Sequence, residues 1–282
     1  MQGEGKKDKL YIFALRVFIT LLSVFRVRFL FNNLINRVIR NTIVNVNNLR
    51  FTPVDYASLF ILSSSYEQWN VKYLARALKK GDVFLDVGAH VGKYTIPAAK
   101  IVGDNGLVIS IEPQHLTFKV LNKNISLNQL RNVKVFNIAG WNESCKLRLY
   151  DGMNSGTYSC KKNILIQIGN MHPPKKFVII SAKPIDDIIR GLKVNVDYIK
   201  VDAAGAEFEV LQGLKQTLLT HRPVVLVDLL KSNQDKTLSF LNQLGYRIEI
   251  THSHEGLEYE GFLVYPQEKQ KQMHDESLLS KC

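Results

Sequence analysis

FLDVGAHVGKYT, residues 84–95, runs from a short apolar segment through a turn holding two glycines into the start of a helix. Asp86 stands near the end of the apolar segment, and Gly88 and Gly92 occupy the turn. Glycine in such a place lets the backbone pass close to a ligand and take dihedrals closed to other residues. Two phosphate-binding turns are excluded by what stands there. The dinucleotide fingerprint G-x-G-x-x-G needs glycines at 88, 90 and 93, but His90 and Lys93 hold two of these positions. A P-loop ending at Lys93 needs glycine at 87 and Ser or Thr at 94, where the chain has Val87 and Tyr94. What remains is D-x-G-x-x-x-G, with a ligand-free turn as the alternative.

Outward from this turn, strands and helices alternate. Apolar runs at 83–87, 107–111, 133–138, 145–150, 177–181, 196–201, 224–230, 246–250 and 261–265 read as strands. Helical spacing appears at 67–78, 93–101, 116–128, 206–220 and 234–244. Short apolar strands separated by helices predict an α/β fold: a doubly wound, mainly parallel seven-stranded sheet covered on both faces. The last two strands have no room between them for a helix, so they form an antiparallel C-terminal hairpin. Ligands of such sheets bind beyond the carboxyl ends of the strands.

Two further strand ends carry candidates. Glu112 closes VISIEP, 24 residues after Gly88, where a carboxylate accepts hydrogen bonds from the hydroxyls of a ribose. In VDYIKVDAAGAEFEVLQG, residues 196–213, Asp202 ends a strand, Lys200 lies two residues earlier on the same face, and Glu207 opens the next helix. Glu207 suits a helix N-terminus with or without a chemical task.

Taken in order, DVGAHVGKYT, then IEP followed by Asn124 and Asn128, then residues 196–213 leading to RPVVLVD at 222–228, resemble the FkbM family of S-adenosylmethionine (SAM)-dependent methyltransferases. The resemblance covers roughly residues 81–266. It implies a class I methyltransferase fold, SAM as cofactor, and O-methylation of a hydroxyl on a sugar, glycan, lipid-linked or other small-molecule acceptor. Cofactor contacts are then expected from Asp86, Gly88, Ala89, His90, Gly92, Thr95, Glu112 and Ala139. Alcohol methylation benefits from a base that takes the acceptor's proton. Asp202 is the first candidate and Glu207 the second, with Lys200 orienting the carboxylate or the substrate; alternatively Asp202 only shapes the cofactor pocket. The chain departs from the family at Ala204, where an acidic residue is usual, which removes a carboxylate from the expected rim. His90 stands where Asn is common, and Asp228 where Glu is common.

Charge is uneven. Residues 1–50 hold nine Lys/Arg against two Asp/Glu, so +7 of the net +12 sits on less than a fifth of the chain. LYIFALRVFITLLSVF at 10–25 carries only Arg16 and is about 24 Å long as a helix, short of the roughly 30 Å of a bilayer core. A basic amphipathic stretch follows at 26–41, with Arg26, Arg37 and Arg40 opposed to apolar residues. The pattern predicts a helical segment 1–50 resting on an anionic membrane surface, ahead of a methyltransferase domain at 51–282. Packing of the segment on the domain, or a span, are the alternatives. The expected place is the cytoplasm, peripheral at the inner face of the membrane. Cys145, Cys160 and Cys282 form no disulfide or metal spacing. An RNA methyltransferase and, because of Ala204, a non-catalytic SAM-binding protein are the alternatives; a nucleic-acid partner is disfavoured because no base-methylation signature or RNA-binding module is seen and the charge lies beside an apolar run. His252 and His254 form H-x-H without an obvious third ligand, so no metal is expected.

Overall fold

A computed structural model describes residues 36–63, 67–152, 155, 158–167, 176–253 and 259–270. Seven strands form the main sheet: β3 (Val83–Val87), β4 (Leu107–Ile111), β5 (Val133–Phe136), β9 (Tyr198–Val201), β10 (Val224–Leu230), β11 (Tyr246–Ser253) and β12 (Tyr259–Pro266). Their spatial order is β11-β12-β10-β9-β3-β4-β5. Neighbours from β5 to β10 pair in parallel, while β12 runs antiparallel to both β10 and β11. This is the doubly wound sheet that the alternation of runs predicts, closed by the expected hairpin.

Alternate residues of each strand feed opposite layers. Leu85, Val87, Ile109, Ile111, Ile199, Val201, Val225 and Val227 pack in one buried cluster under helices α6 (Ile185–Leu192), α7 (Glu207–Gln212), α8 (Lys215–Thr220) and α9 (Lys231–Gln243). Phe84, Val108, Leu226 and Leu263 face the other side, against α2 (Gln68–Ala77) and α3 (Thr95–Val102). At the carboxyl end of this second face the apolar row gives way to Asp86, Ser110, Lys200 and Asp228, all buried. Register sets Asp86 beside both Ser110 and Lys200, so the polar groups meet at the end of the strands.

The sequence reading needs four corrections. First, the strands β7 (Cys145–Tyr150) and β8 (Phe177–Lys183) leave the main sheet and form a small one with β6 (Ala139–Gly140), in the order β6-β8-β7. The run at 133–138 breaks between β5 and β6, where the Asn137 amide donates to the carbonyls of Glu112 and Pro113 at 2.9 and 3.0 Å. Second, the helix expected over 206–220 is two helices. A Cβ on Gly213 would lie 1.9 Å from the Trp141 carbonyl oxygen, so the chain breaks there, and Asp186 caps α8 through the Gln216 and Thr217 amides at 2.8 and 2.9 Å. Third, α6 lacks a place in the pattern read above, although Ile185, Ile188 and Ile189 follow helical spacing behind Pro184.

The fourth concerns the boundary at residue 50, which falls inside an antiparallel hairpin of β1 (Val44–Val46) and β2 (Leu49–Phe51). Ile39, Val44 and Phe51 are buried with Val91, Ile96 and Val120 of the domain, and α1 (Tyr56–Ile61) adds Leu59. Asn124 of α4 (His115–Leu127) and Asn128 beyond its end tie the hairpin down through polar pairing. The Thr52 amide donates to Asn124 Oδ1 at 2.6 Å, and Asn124 Nδ2 donates to the carbonyls of Thr52 and Val91 at 3.0 and 2.9 Å. Asn128 exchanges two bonds with the Arg50 backbone at 2.9 and 2.6 Å. Residues 36–40 are helical, and Arg40 Nε donates to the Val54 carbonyl at 2.9 Å, so the described end of the basic stretch packs on the domain. The run at 10–25 and the stretch at 26–35 lie outside the described residues. Among the described residues no helix is long and apolar enough to cross a membrane.

Candidate active site

Beyond the carboxyl ends of β3, β4 and β9 lies a cavity of about 990 Å³, space at its mouth included. One wall comes from the glycine turn and the end of β4: Gly88, Ala89, His90, Ile111, Glu112 and Pro113, with Ala139 from β6 beside them. The other wall holds Glu67, Lys93, Tyr94, Tyr158, Asp202 and Ala204.

Five of the eight expected cofactor residues line the cavity: Gly88, Ala89, His90, Glu112 and Ala139. Asp86, Gly92 and Thr95 are corrected to a supporting layer behind it. Thr95 Oγ1 donates to Asp86 Oδ2 at 2.6 Å and lies 2.9 Å from Ser110 Oγ, so these side chains satisfy one another. Burial pushes the Asp86 carboxyl up to about 6, with Thr95 pulling against the shift. Gly92 packs on α4, where an added Cβ would come 2.8 Å from Leu121 Cδ1. Gly88 has φ +83°, and an added Cβ would stand 1.8 Å from the Asp202 carbonyl oxygen. Its glycine is thus required by the approach of the end of β9 as well as by its dihedrals.

Glu112 shows the fit of this wall to a nucleoside. Its Oε2 accepts from the His90 amide and its Oε1 from the Gln114 amide, both at 2.9 Å. Each oxygen keeps a second lone pair for a neighbouring hydroxyl. Burial pushes the carboxyl up to about 7 while the two amides resist, so hydroxyl donors arriving from the cavity relieve a real desolvation cost. His90, at φ +50°, adopts the left-handed conformation that the Asn common in this place also tolerates. Ser155 Oγ donates to Asp55 Oδ1 at 2.7 Å and lies 2.9 Å from His90 Nε2. With that hydroxyl proton spent on Asp55, the network assigns the ring proton to Nε2. Nδ1 is then a buried acceptor without a partner among the described residues. Burial holds the imidazole down at about 4, hence neutral.

The opposite wall carries charge. Asp202 lies at the cavity, and burial pushes its carboxyl up to about 7 although Lys200 pulls it down. Lys200 shares the face of Asp202, as read from the strand period, but lies behind the cavity in an ion pair with Asp228. Burial alone would lower its ammonium; Asp228 and Asp202 outweigh it, and the net shift is upward. Lys200 is therefore a positioning residue. Glu207 is corrected in the same way. Its Oε1 accepts from the Ala203 and Gly205 amides at 3.1 and 2.9 Å, which fastens the turn that offers Ala204 to the cavity. The carboxylates of Glu67, Asp202 and Asp228 offer oxygens within 4.8 Å of one another, but Lys200 already supplies a cation to Asp228. Of the H-x-H pair, the His252 backbone lies in β11 and His254 lies outside the described residues.

Glu67, Lys93, Tyr94 and Tyr158 carry no role in the sequence reading. Tyr94 donates to Glu67, and its hydroxyl is pushed upward by burial and by that carboxylate. Lys93 is buried, which brings its ammonium down to about 8 against the pull of Glu67. Lys93 and Tyr94 end the very turn that names the motif, KY in DVGAHVGKYT, and that was the available signal.

A family model described as the methyltransferase FkbM domain matches residues 86–248, more than half of the chain. The chain belongs to the FkbM methyltransferase family. A model of protein-L-isoaspartate(D-aspartate) O-methyltransferases also matches, over residues 7–158. Among curated relatives, the chain is 28% identical over 148 residues to a 23S rRNA (uracil(1939)-C(5))-methyltransferase of Acinetobacter baylyi, covering 49% of this chain and 30% of that one. It is 28% identical over 184 residues to Methyltransferase 1 of Beauveria bassiana, covering 59% of this chain and 72% of that one. The chain thus spans less than a third of the first relative's length. A crystal structure of a Methylobacillus flagellatus FkbM methyltransferase superposes with TM-score 0.47 at 16% identity, covering 67% of this chain and 44% of that one. Residues 86–248 are thus a methyltransferase domain of the FkbM family, a family whose cofactor is SAM.

Proposed function

We propose that this FkbM methyltransferase methylates a hydroxyl oxygen on a sugar, glycan, lipid-linked or other small-molecule acceptor, with Asp202 as the base. The observation that carries the reading is Asp202 at the cavity, a carboxyl raised to about 7 and backed by the Lys200–Asp228 pair. A base with a pKa near the working pH combines the correct protonation state with useful driving force. SAM supplies an electrophilic methyl group. Glu112 would hold its ribose hydroxyls, and the turn at Gly88–His90 would lie along it. Asp202 receives the acceptor's proton as the oxygen attacks, and Lys200 holds the neighbouring Asp228 charge in place. Ala204 leaves the rim next to Asp202 without the family's usual carboxylate.

Incubation with methyl-labelled SAM and extracted glycan, lipid and RNA fractions tests the reading. Label in base-stable ether linkages of glycan or lipid is expected. Label in RNA would replace this proposal with a nucleic-acid substrate, the class of the Acinetobacter baylyi relative. We further propose, from the apolar run at 10–25 and the arginines after it, that the N-terminal segment rests on the inner face of an anionic membrane. Full-length protein should then float with anionic vesicles, and high salt should weaken the association without abolishing it.

A further inference from the structure

The small sheet turns one face to the domain and the other outward. Leu149 and Ala182 are buried on the inner face, where Leu149 lines the cavity and only Val178, near the start of β8, is exposed among the large apolar residues. In the register of β7 with β8, Lys146 pairs Ser181, Arg148 pairs Ile179 and Tyr150 pairs Phe177, so these six side chains share the outer face. Phe177 is 45% exposed and Ile179 59%, while Lys146 and Arg148 are also exposed. Lys183 continues the same face and Lys176 precedes it, and among these positions there is no carboxylate.

We infer that this outer face is a docking surface for an anionic lipid bilayer. A face that mixes large apolar side chains with cations fits the interfacial zone of a bilayer, where apolar groups enter the acyl boundary and Lys or Arg meets phosphate. A second copy of the chain would set Lys146 and Arg148 against like charges. A single-stranded nucleic acid needs an open aromatic face for stacking. On Phe177 the ring is shared with the chain's own groups: the Arg148 guanidinium lies 4.8 Å from its centroid, and the Tyr150 ring is tilted against it at 5.8 Å. Ile179, the most exposed apolar residue of the face, offers no ring at all. Lipid is the partner that uses both the aliphatic and the cationic groups. Because Leu149 on the reverse of β7 lines the cavity, a bilayer on this face would lie one sheet layer from the site of methyl transfer.

Hydroxyl-radical footprinting of the full-length chain, read by mass spectrometry, tests the inference at the face itself. With phosphatidylglycerol vesicles, oxidation of Phe177 and Ile179 is expected to fall several-fold; with phosphatidylcholine vesicles it should not change. Lys146→Glu combined with Arg148→Glu should remove the protection while SAM binding stays unchanged. Protection that survives this double substitution would overturn the charge argument. Oxidation that is unchanged when the protein has floated with the vesicles would overturn the docking surface and leave the N-terminal proposal standing. Protection by single-stranded RNA but not by lipid, or low oxidation already in the free chain, would assign the face to nucleic acid or to the chain's own residues instead.

Discussion

The two walls of the cavity are built differently. The Glu112 wall comes from two short stretches, residues 88–90 and 111–113, joined by one strand pairing. Its polar contacts run largely between a carboxylate and backbone amides, which any side chain at those positions would supply. The Asp202 wall draws on Glu67, Lys93, Tyr94, Tyr158 and Ala204, far apart in sequence, and its contacts run between side chains. A wall made of local backbone is stable to substitution of its neighbours and suited to one constant ligand. A wall assembled from distant side chains can change partner by partner, which suits an acceptor that differs among relatives.

The largest effect that would sharpen this contrast is expected where the walls touch. Gly88→Val would set a Cβ 1.8 Å from the Asp202 carbonyl oxygen at φ +83°, so β3 and β9 would have to part. The variant should lose SAM binding together with its cooperative melt. A stable Gly88→Val protein that still binds SAM in a calorimetric titration would break the account of that turn.

Next is Asp202→Asn, which keeps the shape and removes the base. Turnover should fall on the order of 10²-fold or more, with SAM affinity nearly unchanged. The wild-type enzyme should also lose kcat/KM as pH falls below about 7, because protonated Asp202 cannot accept a proton. An equal loss of affinity and rate in Asp202→Asn would move Asp202 to the cofactor wall.

Glu112→Gln should do the reverse. One of the amides of His90 and Gln114 would face an NH2 group in place of an acceptor, and the ribose would lose a charged partner. Affinity for SAM should drop by about 10- to 100-fold, as for loss of hydrogen bonds worth roughly 1.5–3 kcal/mol, while kcat at saturating SAM stays within a few-fold. Comparable losses in both constants would erase the distinction between the walls.

The smallest effect lies in the supporting layer. Burial raises the Asp86 carboxyl from its ordinary value to about 6, so the folded state holds that proton more tightly than the unfolded chain. The stability this contributes is present at acid pH and lost as pH rises through about 6. Asp86→Asn should therefore gain a few degrees in Tm relative to wild type as pH rises from about 4 to about 7. A constant difference in Tm across that range would place the Asp86 charge outside the low-dielectric layer.

Periodicity located β3, β4 and β10 by their end residues, because a strand buried on both faces must read as a continuous apolar run. The same signal missed α6, whose helical apolar spacing spans only eight residues behind a proline. It also joined α7 to α8, since the approach of Trp141 to Gly213 is a contact between distant segments. Asn124 and Asn128 could be picked out in the sequence, yet nothing local says that they hold the β1–β2 hairpin and so carry the domain back to residue 39.

By itself the sequence determined the sheet class, the family, the glycine turn and Glu112, because each depends on residues adjacent in the chain or one strand apart. Only the tertiary structure decided what the charged groups do. Lys200, Glu207 and Asp86 are ionisable wherever they stand, but burial and the nearest partner set their charge and their roles. Lys200 meets Asp228, Glu207 meets the 203–205 turn, and Asp86 meets Thr95, leaving Asp202 facing the cavity.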